Sequence, residues 1–463
     1  MHESAPPYVF GPTFEEMMNP SLIPEGIRES ARIARTENPL DPVNLYNLHW
    51  KDDLGNVMAV LLPPELTGVV APIAVLTGQK FPTGAHKVGP AYAILIEKQV
   101  HEEVEPGRHR LVFPSTGNFG IGGAWVGPRM GYRSLVVLPE DMSRERFEMI
   151  RGYGGDIVAT PGSESNVKEI YDKVRELEAD PGNAILNQFA EFGNYRFHAT
   201  VTASAIEELA RTLGKQGIGS GVPAAFVSAM GSSGTIGAGD PLKERHGTAI
   251  IGLEPLQCST LYNVGFGAHR IEGIGDKHVT WIHNVLNMDA LMCIDDLDTI
   301  RGLALLQEGQ ETLTRDLGID EDTVNRLTGT FGMSGICNIL GAIKTAKHYR
   351  FGPQHLVVTV ATDGFDRYPS VLAWLAEKEG RQTREKALRR VEIFHRVGLD
   401  YILEGREAQR RWHNQKYFTW VEQQGKSTEA LQAQADPAFW KAQRERVHEI
   451  DRRIKERRPR LAG

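Results

Sequence analysis

The chain predicts an α/β fold: parallel sheets covered by helices, followed by a helical C-terminal extension. Three observations lead there. Eight short apolar runs, at 73–76, 111–113, 134–138, 157–159, 184–187, 224–228, 249–253 and 356–361, read as strands. Longer stretches with helical 3.6-residue spacing separate many of them, such as 166–177 and 203–213. Beyond residue 371 the apolar runs stop and the charge balance reverses. Strands that alternate with helices imply parallel sheets covered on both faces. Ligands of such sheets sit beyond the carboxyl ends of the strands.

Residues 1 to about 70 form a proline-rich lead-in with one helical stretch at 25–35. The run 73–76 then leads into Lys80-Phe81-Pro82-Thr83-Gly84-Ala85-His86-Lys87. Lys87 is the first candidate for chemistry. A protonated lysine is a poor nucleophile, and it becomes useful when an aldehyde cofactor captures it as a Schiff base. Such chemistry demands a phosphate cradle, a partner for a pyridine nitrogen and a loop that binds a carboxylate. His86 either touches the cofactor or packs beside it.

The run 111–113 leads into Pro114-Ser115-Thr116-Gly117-Asn118-Phe119-Gly120. Hydroxyls, backbone N–H groups and an amide cluster there at a helix start. Such a site suits a substrate carboxylate, and the Asn118 amide is placed to reach a cofactor oxygen. The same residue types also make an ordinary capped helix. After 184–187 comes Gln188. The run 224–228 enters Gly231-Ser232-Ser233-Gly234-Thr235, where a strand, a glycine turn and a helix start converge. Such a concavity binds phosphate through backbone N–H groups, and glycine lets the ligand approach. Phe331-Gly332-Met333-Ser334-Gly335 opens another apolar helix. Ser334 either hydrogen-bonds a pyridine nitrogen or caps that helix. A neutral hydroxyl partner makes the ring a weaker electron sink, which suits β-elimination better than transamination.

Composition bounds the class. At 463 residues, with 41% hydrophobic and 24% charged content, the chain is an ordinary globular protein large enough for more than one domain. Three scattered cysteines, Cys258, Cys293 and Cys337, give neither a metal-type spacing nor a disulfide framework, so no metal and a cytoplasmic location are expected. No signal sequence or membrane span is expected either. From Val371 onward, 21 Lys and Arg stand against 14 Asp and Glu, a net +7, while the remainder carries −14. Four of the seven tryptophans, Trp374, Trp412, Trp420 and Trp440, lie in that part. Interleaved acidic residues argue against nucleic acid, and helices packed on the body or across a dimer interface are expected instead.

Taken together, these segments resemble the fold type II pyridoxal phosphate enzymes, the cysteine synthase and tryptophan synthase β family, over roughly residues 70 to 370. Thr83-Gly84-Ala85-His86-Lys87 is similar to the tryptophan synthase β lysine motif, and Ser115-Thr116-Gly117-Asn118 to the substrate loop of cysteine synthases. Val136-Val137-Leu138-Pro139-Glu140 with the arginine-bearing stretch 143–153, Asn187-Gln188-Phe189 with Asn194-Tyr195, Gly252-Leu253-Glu254-Pro255 and Gly273-Ile274-Gly275 follow in the family's order. Asp363-Gly364-Phe365-Asp366-Arg367-Tyr368 resembles its late Asp-x-Gly-x-Arg-Tyr signature, with the glycine one place early. The departures are Leu76-Thr77-Gly78 for Lys-Leu-Glu, Phe81 for Asn, Val88-Gly89 for Asp-Arg, and Ser233 for the usual glycine.

The resemblance implies pyridoxal 5'-phosphate as cofactor and Lys87 as the catalytic lysine. Lys87, Asn118, Gly231, Ser232, Ser233, Gly234, Thr235 and Ser334 would hold the cofactor. Ser115, Thr116, Gly117, Asn118 and Gln188 would bind an amino-acid substrate. It further implies two parallel-sheet αβα domains, a larger cofactor-binding domain of 1–84 with 200–370 and a smaller mobile domain of 85–199 carrying the substrate loop, and a helical extension at 371–463. A homodimer is expected. The implied activity is β-replacement or β-elimination on a β-substituted alanine such as serine, O-acetylserine or cysteine. The alternatives are a threonine or serine dehydratase, a non-catalytic relative, or a nucleotide-binding protein with Glu254 as its acidic residue.

Overall fold

A computed structural model describes residues 8–115, 117–162, 167–265 and 267–458. Among the described residues, eleven strands form two sheets: β1 (Ala59–Leu61), β2 (Ile73–Thr77), β3 (Arg110–Pro114), β4 (Arg133–Pro139), β5 (Asp156–Thr160), β6 (Asn183–Ile185), β7 (Pro223–Ala229), β8 (Ala249–Pro255), β9 (Ala290–Ile294), β10 (Leu356–Ala361) and β11 (Ile402–Glu404). The larger sheet runs β1-β2-β10-β7-β8-β9-β11 and the smaller β5-β4-β3-β6. Every pairing is parallel except at the two edges of the larger sheet, where β1 and β11 pair antiparallel.

All eight apolar runs are strands. They are apolar throughout because helices cover both faces; all six residues of β10 are buried. The three expected helices appear as Glu25–Glu37, Val167–Glu178 and Ala203–Lys215. β10 enters the larger sheet between β2 and β7, so the carboxyl ends of these three strands lie side by side. The segments carrying Lys87, the 231–235 turn and Asp363 all leave from that edge.

The C-terminal region is helical apart from β11, which extends the larger sheet beyond β9. Trp412, Trp420 and Trp440 are buried. Trp412 Nε1 donates to Leu261 O at 3.0 Å and Trp420 Nε1 to Val279 O at 2.7 Å, so this region packs on the body. Its last helix, Val447–Arg457, returns to the first, Phe14–Met18, where the Asp451 carboxylate accepts from Phe14 N at 2.7 Å and Glu15 N at 3.0 Å. That contact satisfies donors at a helix N-terminus. Among the described residues, no helix is long and apolar enough to cross a membrane.

Candidate active site

Lys87 flanks the N-terminus of the helix Val88–Val100, after the turn that follows β2. The buried Arg367 guanidinium braces that turn, donating to Gly84 O at 3.1 Å and to Thr83 O. The lysine amine reaches toward β7 and donates to Ser232 Oγ at 2.8 Å.

From β7 the chain passes through residues 231–234 into a short 3-10 turn, Thr235–Ala238. Ser233 sits at φ +61°, in the left-handed region that an L side chain adopts only at a cost. Its Oγ donates to Gly231 O at 3.2 Å. A Cβ on Gly231 would stand 2.7 Å from Gly273 O, and one on Gly234 2.0 Å from Asn194 Oδ1, so the turn closes only with glycine at both places.

A narrow cavity of about 20 Å³ lies against this turn, lined by Lys87, Gly231, Ser233, Thr235, Ser334 and Asn338 among others. Ser334 lies in the first turn of the helix Met333–His348, whose N-cap is Gly332 and has no side-chain cap bond, so Ser334 is not a helix cap. Asn338 accepts from Ala229 N at 2.7 Å and donates to Val360 O at 2.6 Å, tying β7 to β10. The donor set fits a phosphate-bearing aldehyde. A glycine-walled turn with hydroxyls can take the phosphate, the lysine amine adjoins that turn, and a hydroxyl stands on the same cavity for a ring nitrogen. Larger surface grooves, such as one lined by Arg28, Arg32 and Glu208, bring no such set together.

The 115–118 loop belongs to an adjoining hydrogen-bonded cluster. Ser115 Oγ accepts from Gly117 N at 2.9 Å and Gly120 N at 2.7 Å, so this hydroxyl shapes the start of the helix Asn118–Arg129. Asn118 Nδ2 donates to Asp363 Oδ2 at 2.6 Å, and Tyr368 Oη donates to the same oxygen at 2.9 Å. Buried Arg146 donates to Glu272 Oε2 at 2.7 Å, Tyr368 Oη at 3.1 Å and Asn118 Oδ1 at 3.5 Å. Asn118 is thus engaged by Asp363 and Arg146 and is not among the residues lining the cavity. Thr116 lies outside the described residues. Gln188 is buried, and its carbonyl accepts from Asn194 Nδ2 at 2.9 Å. That nitrogen also donates to Ser232 Oγ at 3.0 Å, which links Gln188 to the lysine through two residues.

Two further groups set the electrostatics. His86 is buried, with Nε2 3.0 Å from Thr235 Oγ1, and burial together with the Lys87 charge pushes its pKa down to about 3. The ring is neutral and spaces Thr235 from His198, whose ring centroid is 4.9 Å away. Asp276 follows the turn Gly273-Ile274-Gly275 and is buried, with no hydrogen-bond partner for Oδ2 among the described residues. Burial raises its carboxyl to about 7, opposed by the Lys87 charge. Asn338 and Asp276 carry no motif in the sequence. Asn194 shows there only as part of Asn194-Tyr195, without its role as a bridge.

A family model described as pyridoxal-phosphate dependent enzyme matches residues 77–310. The chain is 32% identical over 300 residues to a probable cysteine synthase of Bacillus subtilis, covering 63% of this chain and 86% of that one. It is 28% identical over 319 residues to a cysteine synthase of Staphylococcus aureus, covering 68% and 94%. The solved structure of a cysteine synthase from Entamoeba histolytica matches with a TM-score of 0.59 at 22% identity, over 75% and 94% of the two chains. An O-acetylserine dependent cystathionine beta-synthase from Helicobacter pylori matches with a TM-score of 0.56 at 24% identity, over 67% and 94%. The two solved structures share the fold.

Proposed function

The chain belongs to the pyridoxal-phosphate-dependent enzymes, and from that footing we propose that it catalyses β-replacement or β-elimination on a β-substituted alanine such as serine, O-acetylserine or cysteine. The observation that carries this is the meeting of Lys87, the 231–235 turn and Ser334 on one cavity. When bound, pyridoxal 5'-phosphate supplies an electrophilic aldehyde and an electron-withdrawing ring.

Lys87 would hold the aldehyde, and its amine is the group that would move the proton at the substrate Cα. The N–H groups of 231–235 and the hydroxyls of Ser232, Ser233 and Thr235 bind phosphate. Ser334 presents an uncharged hydroxyl to the ring nitrogen, which favours loss of a β substituent over transamination. Ser115, Thr116, Gly117, Asn118 and Gln188 bind the amino acid. The start of the helix Asn118–Arg129 offers backbone N–H groups for its carboxylate, while the Arg146 guanidinium behind it is paired with Glu272.

The division into 1–84 with 200–370, 85–199, and 371–463 belongs to this reading. It is supported by the smaller sheet, whose four strands all fall within 85–199. A cytoplasmic homodimer completes it, in keeping with three free, buried cysteines.

The test is to supply the purified chain and cofactor with O-acetylserine, serine and cysteine, with and without a thiol, and to identify products by mass spectrometry. A β-substituted product, or pyruvate, supports the proposal. A keto acid that retains the β substituent, or no turnover, contradicts it.

A further inference from the structure

The segment 276–283 follows the Gly273-Ile274-Gly275 turn and is neither helix nor strand, yet Val279, Thr280, Trp281, Ile282 and His283 are all buried. A buried irregular segment must find partners for its carbonyls outside itself. The C-terminal region supplies them. Trp420 Nε1 donates to Val279 O at 2.7 Å, and Lys416 Nζ donates to Trp281 O at 3.1 Å and His283 O at 2.6 Å. The third donor of Lys416 goes to Gln434 Oε1 at 2.6 Å, so three oxygens use all three N–H bonds of the ammonium.

Lys416 is 0% exposed, and no carboxylate lies among its partners. A buried ammonium is costly to keep, and burial holds its pKa well below the usual lysine value. A methionine or leucine would fill the space without that cost. What lysine provides and they cannot is a pair of donors to Trp281 O and His283 O, both just after Thr280, while Trp420 holds Val279 O just before it.

Thr280 points the other way. Its Oγ1 donates to Ser232 O at 3.0 Å, and Ser232 Oγ receives the Lys87 amine at 2.8 Å. Hydrogen bonds on either side of the 279–283 backbone thus connect the C-terminal region to the 231–235 turn. We propose that Lys416 and Thr280 are positioning residues, which fix the Ser232 peptide and with it the phosphate-binding conformation of that turn. The proposal rests on the assignment of 231–235 to the cofactor phosphate. It gives the C-terminal region a specific task within the site.

The experiment compares full-length wild type, Lys416→Met, Thr280→Val and the double variant, each freed of cofactor and titrated with pyridoxal phosphate and, separately, with pyridoxal. Wild type must bind pyridoxal phosphate; if it does not, the proposed function fails before this inference is reached. The expected result is that each single variant weakens pyridoxal phosphate binding by about tenfold, as loss of one buried hydrogen bond would. Pyridoxal, which lacks the phosphate, should bind with little change. The double variant should lose no more than the worse single variant, because both act through one link. Should Lys416→Met fold poorly, Thr280→Val and its conservative counterpart Thr280→Ser decide the matter, with serine restoring binding. Unchanged pyridoxal phosphate affinity, equal losses for both ligands, or additive losses in the double variant would each overturn the proposal.

Discussion

At Ser233 an L residue holds φ +61° where glycine is the expected occupant. Ser233→Gly should relieve that conformation while removing one hydrogen bond to Gly231 O, leaving a net gain of up to about 1 kcal/mol. A higher melting temperature, with weaker cofactor affinity because the phosphate loses the Ser233 hydroxyl, is the expected outcome; a lower melting temperature would mean that the hydroxyl outweighs the strain. Ser334 is tested by Ser334→Asp, which protonates the ring nitrogen and strengthens the electron sink. Slower β-elimination is expected, and a rate equal to that of the parent would separate Ser334 from the ring. Lys87 and the 231–235 turn are legible because their signals are local in sequence. Asp276 and Asn194 are not, because burial and a partner 38 residues away leave no local trace. Two of the departures from the family pattern have packing causes. A Cβ at Gly78 would stand 2.5 Å from Thr362 O, and Phe81 packs edge-on against Trp50 at 5.0 Å.

Among the elements, the strands missed from sequence are β1, β9 and β11. β1 and β11 are three-residue edge strands with too little pattern to read. β9, Ala290–Ile294, has one β-branched residue, and an apolar run of that kind reads equally as buried helix. β11 also changes what truncation before Arg381 should do. The cofactor motifs all precede that point, and by motif order alone the remaining body would fold and bind cofactor. The structure adds three losses. The edge of β9 is uncovered, the carbonyls of Leu261, Val279 and Trp281 lose their donors, and the helix Phe14–Met18 loses its Asp451 cap. An exposed strand edge and unpaired buried carbonyls favour aggregation and lower stability. The truncated chain should therefore show a smaller soluble fraction and a lower melting temperature than the parent. A truncated chain with unchanged solubility and melting would deny the C-terminal region its structural role.

Over the whole molecule, buried ionisable groups set a pH profile of stability. Burial holds His49, His269 and His278 at about 4, His86 and His283 at about 3, and His198 well below its usual value. Unfolded histidines titrate near 6.5, so the stability these rings contribute is present above that value and is lost as pH falls below it. Burial raises Glu254 and Asp276 to about 7 and Asp451 to about 6. Their contribution is full below the unfolded carboxyl range and is lost as pH rises through 6 to 7. Burial also raises Asp240, Asp296, Asp298 and Asp366 and lowers His413, but the strongly shifted rings outnumber the strongly shifted carboxyls six to three, so the melting temperature should fall between pH 6.5 and pH 4.5; a flat or rising profile there would mean that the rings are protonated in the folded chain. The fold class and the order of the site segments are legible at this scale because strand, turn and helix recur in one direction. The hold of the C-terminal region on 279–283 is not, because it depends on side chains more than 130 residues away. The central claim, that Lys87 carries the cofactor, is tested most directly by reducing the chain with borohydride in the presence of pyridoxal phosphate and mapping the adduct by mass spectrometry. A single pyridoxyl group on Lys87, with adduct and turnover both lost in Lys87→Ala, is the predicted result; an adduct on another lysine, or turnover retained by Lys87→Ala, would contradict it.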